Sequence, residues 1–131
     1  MANVRVSIII TTKDRADILT QRSLKSALSQ NFADYEVIVV DSGTDDTKSR
    51  VKNARYYWVP PNGLSFARNF GISKAIGDYI VCLDDDNELL PGFLSKTVAL
   101  LDKYESDPTI MAVRVGKLIK YVEKNFEDYA P

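Results

Sequence analysis

The chain contains no histidine. That absence excludes Ser-His-Asp and Cys-His catalysis and any zinc site that needs imidazole. Its one cysteine, Cys82, cannot close an internal disulfide and suits a reducing compartment. Neither sign of charge is in excess: 17 basic side chains face 18 acidic ones, for a formal net charge of -1. No basic surplus is therefore present to neutralise the phosphates of a nucleic acid. No apolar stretch approaches the ~20 residues needed to cross a bilayer. Met1 to Arg5 runs straight into strand-like sequence, with no signal-peptide pattern. The expected location is the cytoplasm or the cytoplasmic face of a membrane. The six glycines (Gly43, Gly63, Gly71, Gly77, Gly92 and Gly116) form neither G-x-G-x-x-G nor a Walker A loop, so a kinase or an NAD(P) enzyme lacks its motif.

What is present is an alternation of short β-branched runs with amphipathic segments, in a chain of 131 residues, enough for one domain. Val4 to Ile10 reads as a buried strand, apolar and continuous instead of alternating. Apolar residues at helical spacing predict a helix from about Asp17 to Ser29. Tyr35 to Val40 reads as a second strand, and a short helix is expected from near Asp46. Arg55 to Val59 is a third strand, stopped by Pro60-Pro61-Asn62-Gly63. Leu64 to Ala75 reads as a helix with Gly77 as its terminator, and Tyr79 to Leu83 as a fourth strand. Pro91 suits the first turn of a helix reaching about Tyr104, and Thr109 to Val115 reads as a fifth strand. The expected fold class is α/β: a Rossmann-like, mostly parallel sheet with helices on both faces.

In such sheets ligands bind at the carboxyl ends of the strands, near the point where strand order reverses. The residues just after three strands therefore carry most of the functional information. They are Thr11-Thr12-Lys13-Asp14-Arg15, Asp41-Ser42-Gly43, and Asp84-Asp85-Asp86-Asn87-Glu88, and a parallel sheet lines all three along one edge. From Ala75 to Ser95 there are five acids and no Lys or Arg. Adjacent aspartates at the end of a buried strand repel one another, so either their pKa values rise or a cation sits among them. Carboxylate oxygens without histidine or a second cysteine select Mg2+ or Mn2+ over zinc. With no glycine cradle, the charge of a bound diphosphate must be met mainly by that ion, helped by Arg15 or Arg68.

Four segments together resemble the family 2 glycosyltransferases. Val6-Ser7-Ile8-Ile9-Ile10-Thr11-Thr12-Lys13-Asp14-Arg15 resembles their opening strand and loop, and Glu36-Val37-Ile38-Val39-Val40-Asp41-Ser42-Gly43 their second strand and acidic turn. Gly63 to Ile72 matches their Ala-Arg-Asn-x-Gly helix, and Gly77 to Asp86 the strand that carries the D-x-D motif. The resemblance covers roughly Val4 to Gly116. It implies the nucleotide-binding half of a GT-A fold, with the first four strands in the order 3-2-1-4. It also implies metal-dependent sugar transfer from a UDP-, GDP- or dTDP-linked donor to an acceptor hydroxyl, with inversion. By the same resemblance Thr11, with Asp41 or Ser42, lies against the base, and Asp84 or Asp85 holds the ribose or donor sugar. Asp86, with Asp84, binds the metal, while Asp14, Arg15, Arg68 and Asn69 belong to the donor pocket.

The chain departs from the family pattern at two places. Ser42 stands where a second acid usually follows the second strand. Lys13 and Asp14 stand where Tyr and Asn are common. Family members usually continue for a further ~100 residues, a domain's worth of chain, with the acceptor site and the usual catalytic Asp. Residues 1–131 are therefore expected to be one donor-binding domain cut before the acceptor half, and no residue is assigned as the catalytic base. A second reading is a non-catalytic binding or assembly module that pairs through an exposed edge of the fifth strand, giving a homo-oligomer. A third is magnesium-dependent phosphotransfer to one of the aspartates. Several prominent residues read as structural. Cys82 is expected in the core and Gly71 at a close helix–sheet contact. Asp45, Asp46 and Thr47 are expected to cap a helix, and Tyr56, Tyr57 and Trp58 to pack.

Overall fold

The computed structural model describes residues 3–107 and 109. β1 (Val6–Thr12) is followed by α1 (Ala16–Ile18), a π-helical turn (Leu19–Ser23) and α2 (Leu24–Leu28), which run on as one helical segment. Then come β2 (Tyr35–Asp41), α3 (Thr47–Arg50), β3 (Arg55–Trp58), α4 (Leu64–Lys74), β4 (Tyr79–Asp84) and α5 (Phe93–Tyr104). The four strands are parallel, in the order β3-β2-β1-β4. Val6 lies opposite Tyr35 on one side and Tyr79 on the other. All seven residues of β1 are buried, which explains its unbroken apolar run: a strand covered on both faces has no polar side to show.

Side-chain alternation divides the core in two. Val6, Ile8 and Ile10 of β1, with Val37, Val39 and Leu83, face Leu19, Leu24 and Ala27 of the first helical segment and Leu94 and Val98 of α5. On the opposite face Ile9, Ile38 and Val40 pack against Ala67 of α4. Ile8, Ile9 and Ile10 are at most 1% exposed, each contributing about 1.5–3 kcal/mol of burial. The helices thus cover both faces, as the alternating sequence pattern predicts.

Several local expectations need correction. The first helix is interrupted by the five-residue π turn, which apolar spacing does not reveal. Gly77 does not terminate α4, which ends at Lys74 with Ala75 as its cap. Instead Gly77 lets the chain pass against β1, since a Cβ there would lie 2.7 Å from the Ser7 nitrogen. Pro91 lies ahead of α5, in a turn that ends at Gly92. Cys82 is exposed, not in the core. It shares the α4 side of the sheet with Ile9, its register partner, but α4 packs over β1 and β2, so Ile80 and Cys82 on β4 stay outside its cover. The segment read as a fifth strand, Thr109 to Val115, lies beyond Thr109 outside the described residues, and so does any pairing through its edge.

Gly71 sits where α4 presses on the sheet: a methyl there would meet Ile9 Cγ2 at 2.5 Å and Val40 Cγ2 at 3.1 Å. Gly71→Ala gains about 1 kcal/mol of helix propensity but overpacks the contact, which costs typically about 1–3 kcal/mol. With so short an approach, the variant is expected to be less stable by about 1 kcal/mol in urea titrations. An unchanged midpoint would show that α4 lifts off the sheet freely.

Candidate functional site

Connections from β1 lead toward β2, while the chain leaving β3 returns to the other side at β4, so strand order reverses between β1 and β4. A crevice of about 440 Å³ opens at the carboxyl ends of these strands. Thr11, Thr12, Lys13 and Arg15 line it from the end of β1, Ser42 from the end of β2, and Asp84, Asp85 and Asp86 from the end of β4. Its outer wall is Pro61, Asn62, Gly63 and Leu64, with Ala67 behind.

The three aspartates do not form one cluster. Successive residues leaving a strand point to opposite sides, so Asp84 turns toward α4 and Asp85 toward the first helical segment. Asp84 Oδ1 accepts from Arg68 Nη2 at 2.9 Å. Asp85 Oδ2 accepts from Thr12 Oγ1 at 2.9 Å, and its Oδ1 pairs with Arg15 Nη1 at 3.1 Å. Arg15 Nη2 reaches Asp86 Oδ2 at 3.6 Å. The repulsion expected from the sequence is relieved by two guanidiniums. Asp85 is only 8% exposed at its side chain, whereas Asp84 and Asp86 are 48% and 47% exposed. Burial raises the Asp85 pKa above the usual carboxylate value, against the Thr12 hydroxyl and Arg15, which lower it.

The turn after β2 is held from beneath. Asp41, 1% exposed, accepts from Gly43 N at 2.8 Å and from the Tyr56 hydroxyl at 2.5 Å. Burial and then Asp41 itself hold that hydroxyl's pKa well above the usual range. Trp58 Nε1 donates to the Gly43 carbonyl at 2.8 Å, and Tyr57 packs edge-on against Phe70, 5.5 Å between ring centres. Alternate residues of β3 therefore brace opposite faces. Asp14 adopts a left-handed backbone, φ 54, which Asp tolerates better than most residues. Its Oδ1 accepts from Thr44 N at 2.6 Å and Asp45 N at 3.1 Å. Asp45 Oδ1 in turn takes the Thr47 nitrogen and hydroxyl at 3.2 and 2.5 Å, which lowers its pKa. Its Oδ2 takes Ala16 N at 3.2 Å. One acid thus holds the first residue of α3, whose cap residue Asp46 makes no side-chain capping bond, and fixes the start of α1.

Residues 7–127 match Glycosyl transferase family 2. The chain belongs to that family. It is 38% identical over 101 residues to a Campylobacter jejuni GalNAc(5)-diNAcBac-PP-undecaprenol beta-1,3-glucosyltransferase, a match covering 70% of this chain and 32% of that protein. It is 33% identical over 104 residues to the Escherichia coli UDP-Glc:alpha-D-GlcNAc-diphosphoundecaprenol beta-1,3-glucosyltransferase WfaP, covering 74% of this chain and 41% of that one. The chain therefore spans less than half the length of either relative. Among solved structures, S. aureus TarS 1-349 in complex with UDP-GlcNAc superposes with a TM-score of 0.72 at 23% identity, over 85% of this chain and 37% of that one. The mannosyltransferase PcManGT from Pyrobaculum calidifontis, in complex with GDP-Man and Mn2+, gives a TM-score of 0.68 at 27% identity, over 82% of this chain and 34% of that one. The fold is that of the GT-A glycosyltransferases.

Within this family 2 chain the crevice gathers Thr11, Arg15, Ser42, Asp84, Asp85 and Asp86 from the residues singled out in the sequence. Arg68 stands behind it, on Asp84. Asn69 is exposed on α4 and does not line the crevice. Asp14 and Asp41 are not on its wall either; their carboxylates bind the loops beside it. Sequence reading missed the wall from Pro61 to Leu64, although a Pro-Pro-Asn-Gly break directly after a strand places that turn at the carboxyl edge. It also missed that Thr12 serves Asp85.

Among the described residues, no three Asp, Glu or Cys side chains converge on one point where an ion would sit. The donor set nevertheless fits the mode usual for magnesium, one or two carboxylates completed by ligand phosphates: Asp84 and Asp86 are hard oxygen donors, half-exposed and open to the crevice.

Because folding raises the Asp85 pKa, the folded state binds the proton more tightly than the unfolded one. Its contribution to stability is then fully present below the unfolded value and is lost as pH rises through the raised folded value. Asp85→Asn removes this dependence. The variant is expected to gain stability relative to the wild type on going from mildly acid to neutral pH, as read by urea unfolding at both. An identical pH dependence for the two chains would show that Thr12 and Arg15 fully offset the burial.

Proposed function

We propose that this chain is the donor-binding domain of an inverting glycosyltransferase that uses a nucleotide diphospho-sugar and a divalent cation. The observation that carries this is the crevice between β1 and β4, where half-exposed Asp84, paired with Arg68, and Asp86, beside Arg15, line the same pocket as Thr11 and Ser42. The complexes of TarS with UDP-GlcNAc and of PcManGT with GDP-Man and Mn2+ support it.

In this reading Thr11 and Ser42 lie against the nucleobase, and the turn that carries Ser42 is held rigid by Asp41, Tyr56 and Trp58. Asp84, oriented by Arg68, holds the ribose or donor sugar. Asp85 is too buried to meet a ligand freely and fixes Arg15 over the crevice. Asp86, with Asp84, holds Mn2+ or Mg2+, which when bound stabilises the charge developing on the β-phosphate. In an inverting displacement the acceptor oxygen bonds to the anomeric carbon as the bond from that carbon to the phosphate oxygen breaks. The acceptor proton passes to a carboxylate base, which we assign to no residue of this chain. The relatives' action on undecaprenol-diphosphate-linked saccharides supports an acceptor of that class for the whole protein.

Calorimetric titration of UDP with and without Mn2+ tests the site. UDP is expected to bind in the presence of Mn2+, and Asp86→Asn is expected to weaken that binding about 30-fold, equivalent to ~2 kcal/mol. Binding indifferent both to the ion and to the substitution would overturn the assignment. A chain silent to UDP, GDP and dTDP alike would favour a module that binds no donor.

A further inference from the structure

The loop that continues from the three aspartates is anchored at residues 89–94 by two polar side chains at the end of the first helical segment. Ser26 Oγ, in α2, accepts from Leu89 N at 2.9 Å while donating to the Ser23 carbonyl at 3.0 Å. Gln30, just past α2, is only 9% exposed, and its amide is fully engaged. Nε2 donates to the Leu90 carbonyl at 3.1 Å and to the Ser26 carbonyl at 3.2 Å, and Oε1 accepts from Leu94 N at 3.0 Å. The last bond serves the first turn of α5. There Gly92 is the cap residue and offers no side chain, so an orphan helix donor is satisfied from another element. Between these bonds Leu89 is buried in the core with Leu24 and Leu94.

The same helical segment grips the other end of the loop through Arg15, which pairs with Asp85 and Asp86. Residues 85–94 are thus held at both ends by residues 15–30. The π turn at Leu19–Ser23 has a role in this. A wide turn re-phases the helix downstream of it by about one residue, or ~100° in α-helical terms, and so sets which residues of α2 meet the 89–94 segment. A buried glutamine that bonds three backbone groups, two of them in the loop and helix start it faces, does more than fill space, because leaving any of those groups unpaired is unfavourable.

We propose that Ser26 and Gln30 are positioning residues. They fix the loop that leaves β4 and carries Asp86 above the strand ends, and so set the affinity of the crevice for a divalent cation and a nucleotide diphosphate without touching either. This inference rests on the donor-site reading above. In metal sites, groups that hold the ligands in place typically change affinity about 10–100-fold when removed.

The test uses the whole chain, its Gln30→Met and Ser26→Ala variants, and each variant combined with Asp86→Asn. Gln30→Met keeps the length and removes the amide; Ser26→Ala removes only the hydroxyl that holds Leu89 and is the milder change. Amide hydrogen exchange is expected to speed up about tenfold or more at residues 86–94 in both variants, with β1 and β4 unchanged. Titration with UDP and Mn2+ is expected to show about tenfold weaker binding for Gln30→Met. In the Asp86→Asn background, that substitution is expected to add no further loss. Unchanged exchange at 86–94 would overturn the clamp, whatever UDP does. An equal loss in both backgrounds would overturn the positioning role, since general destabilisation acts regardless of Asp86. A wild-type chain that ignores UDP and Mn2+ overturns the donor-site reading and the ligand half of this inference, while the exchange result still decides the clamp.

Discussion

β1 is paired along both edges and covered on both faces, so the chain leaving Thr12 must emerge at the carboxyl end of the sheet. The rest of the molecule is arranged around that constraint. The first crossover returns to β2 on one side of β1, and the last returns to β4 on the other. The loops leaving β1 and β4 therefore diverge and leave a gap between them, walled by Pro61–Leu64 from the connection after β3. Every group that lines the crevice is placed by its distance from a strand end. Arg15, Ser42 and Asp84 come from distant parts of the sequence, yet one parallel register brings them to the same edge.

Electrostatics then sorts the acids at that edge into two kinds. Strand alternation sends Asp85 inward to Thr12 and leaves Asp84 and Asp86 half in solvent. Arg15 and Arg68 pair with the three carboxylates and Lys13 lines the same crevice, so its charges balance, and no preformed cage for a cation stands among the described residues. Other acids supply rigidity instead of ligand contacts. Asp41 and Asp45 spend their oxygens on backbone amides and on Tyr56 and Thr47. Asp14 accepts the backbone of the next loop and stabilises its own left-handed conformation. Loops this well satisfied present their exposed groups on a fixed frame, which lowers the ordering cost when a ligand arrives.

The sequence by itself determined the α/β class, the four described strands and their approximate ends, and the family. Hydrophobic continuity in Val6–Ile10 and Val37–Val40, and the punctuation at Pro60-Pro61-Asn62-Gly63, are local signals that survive without knowledge of neighbours. The same holds for the order of the four family segments and for the tight contact at Gly71. Tertiary structure alone decided which acid is buried and which is open, because three adjacent aspartates are alike until the sheet gives them faces. It also showed Cys82 to be exposed, since an apolar strand reveals neither how far α4 reaches nor which side of β4 it leaves bare. It gave Gly77 to a backbone contact with Ser7 instead of a helix end, and tied Gln30 to Leu90 and Leu94, 60 and 64 positions away along the chain. Those outcomes depend on contacts between segments far apart in sequence. Local patterning carries hydrophobicity and turn chemistry, but the pairing of a polar group is settled only when the packed elements bring its partner within reach.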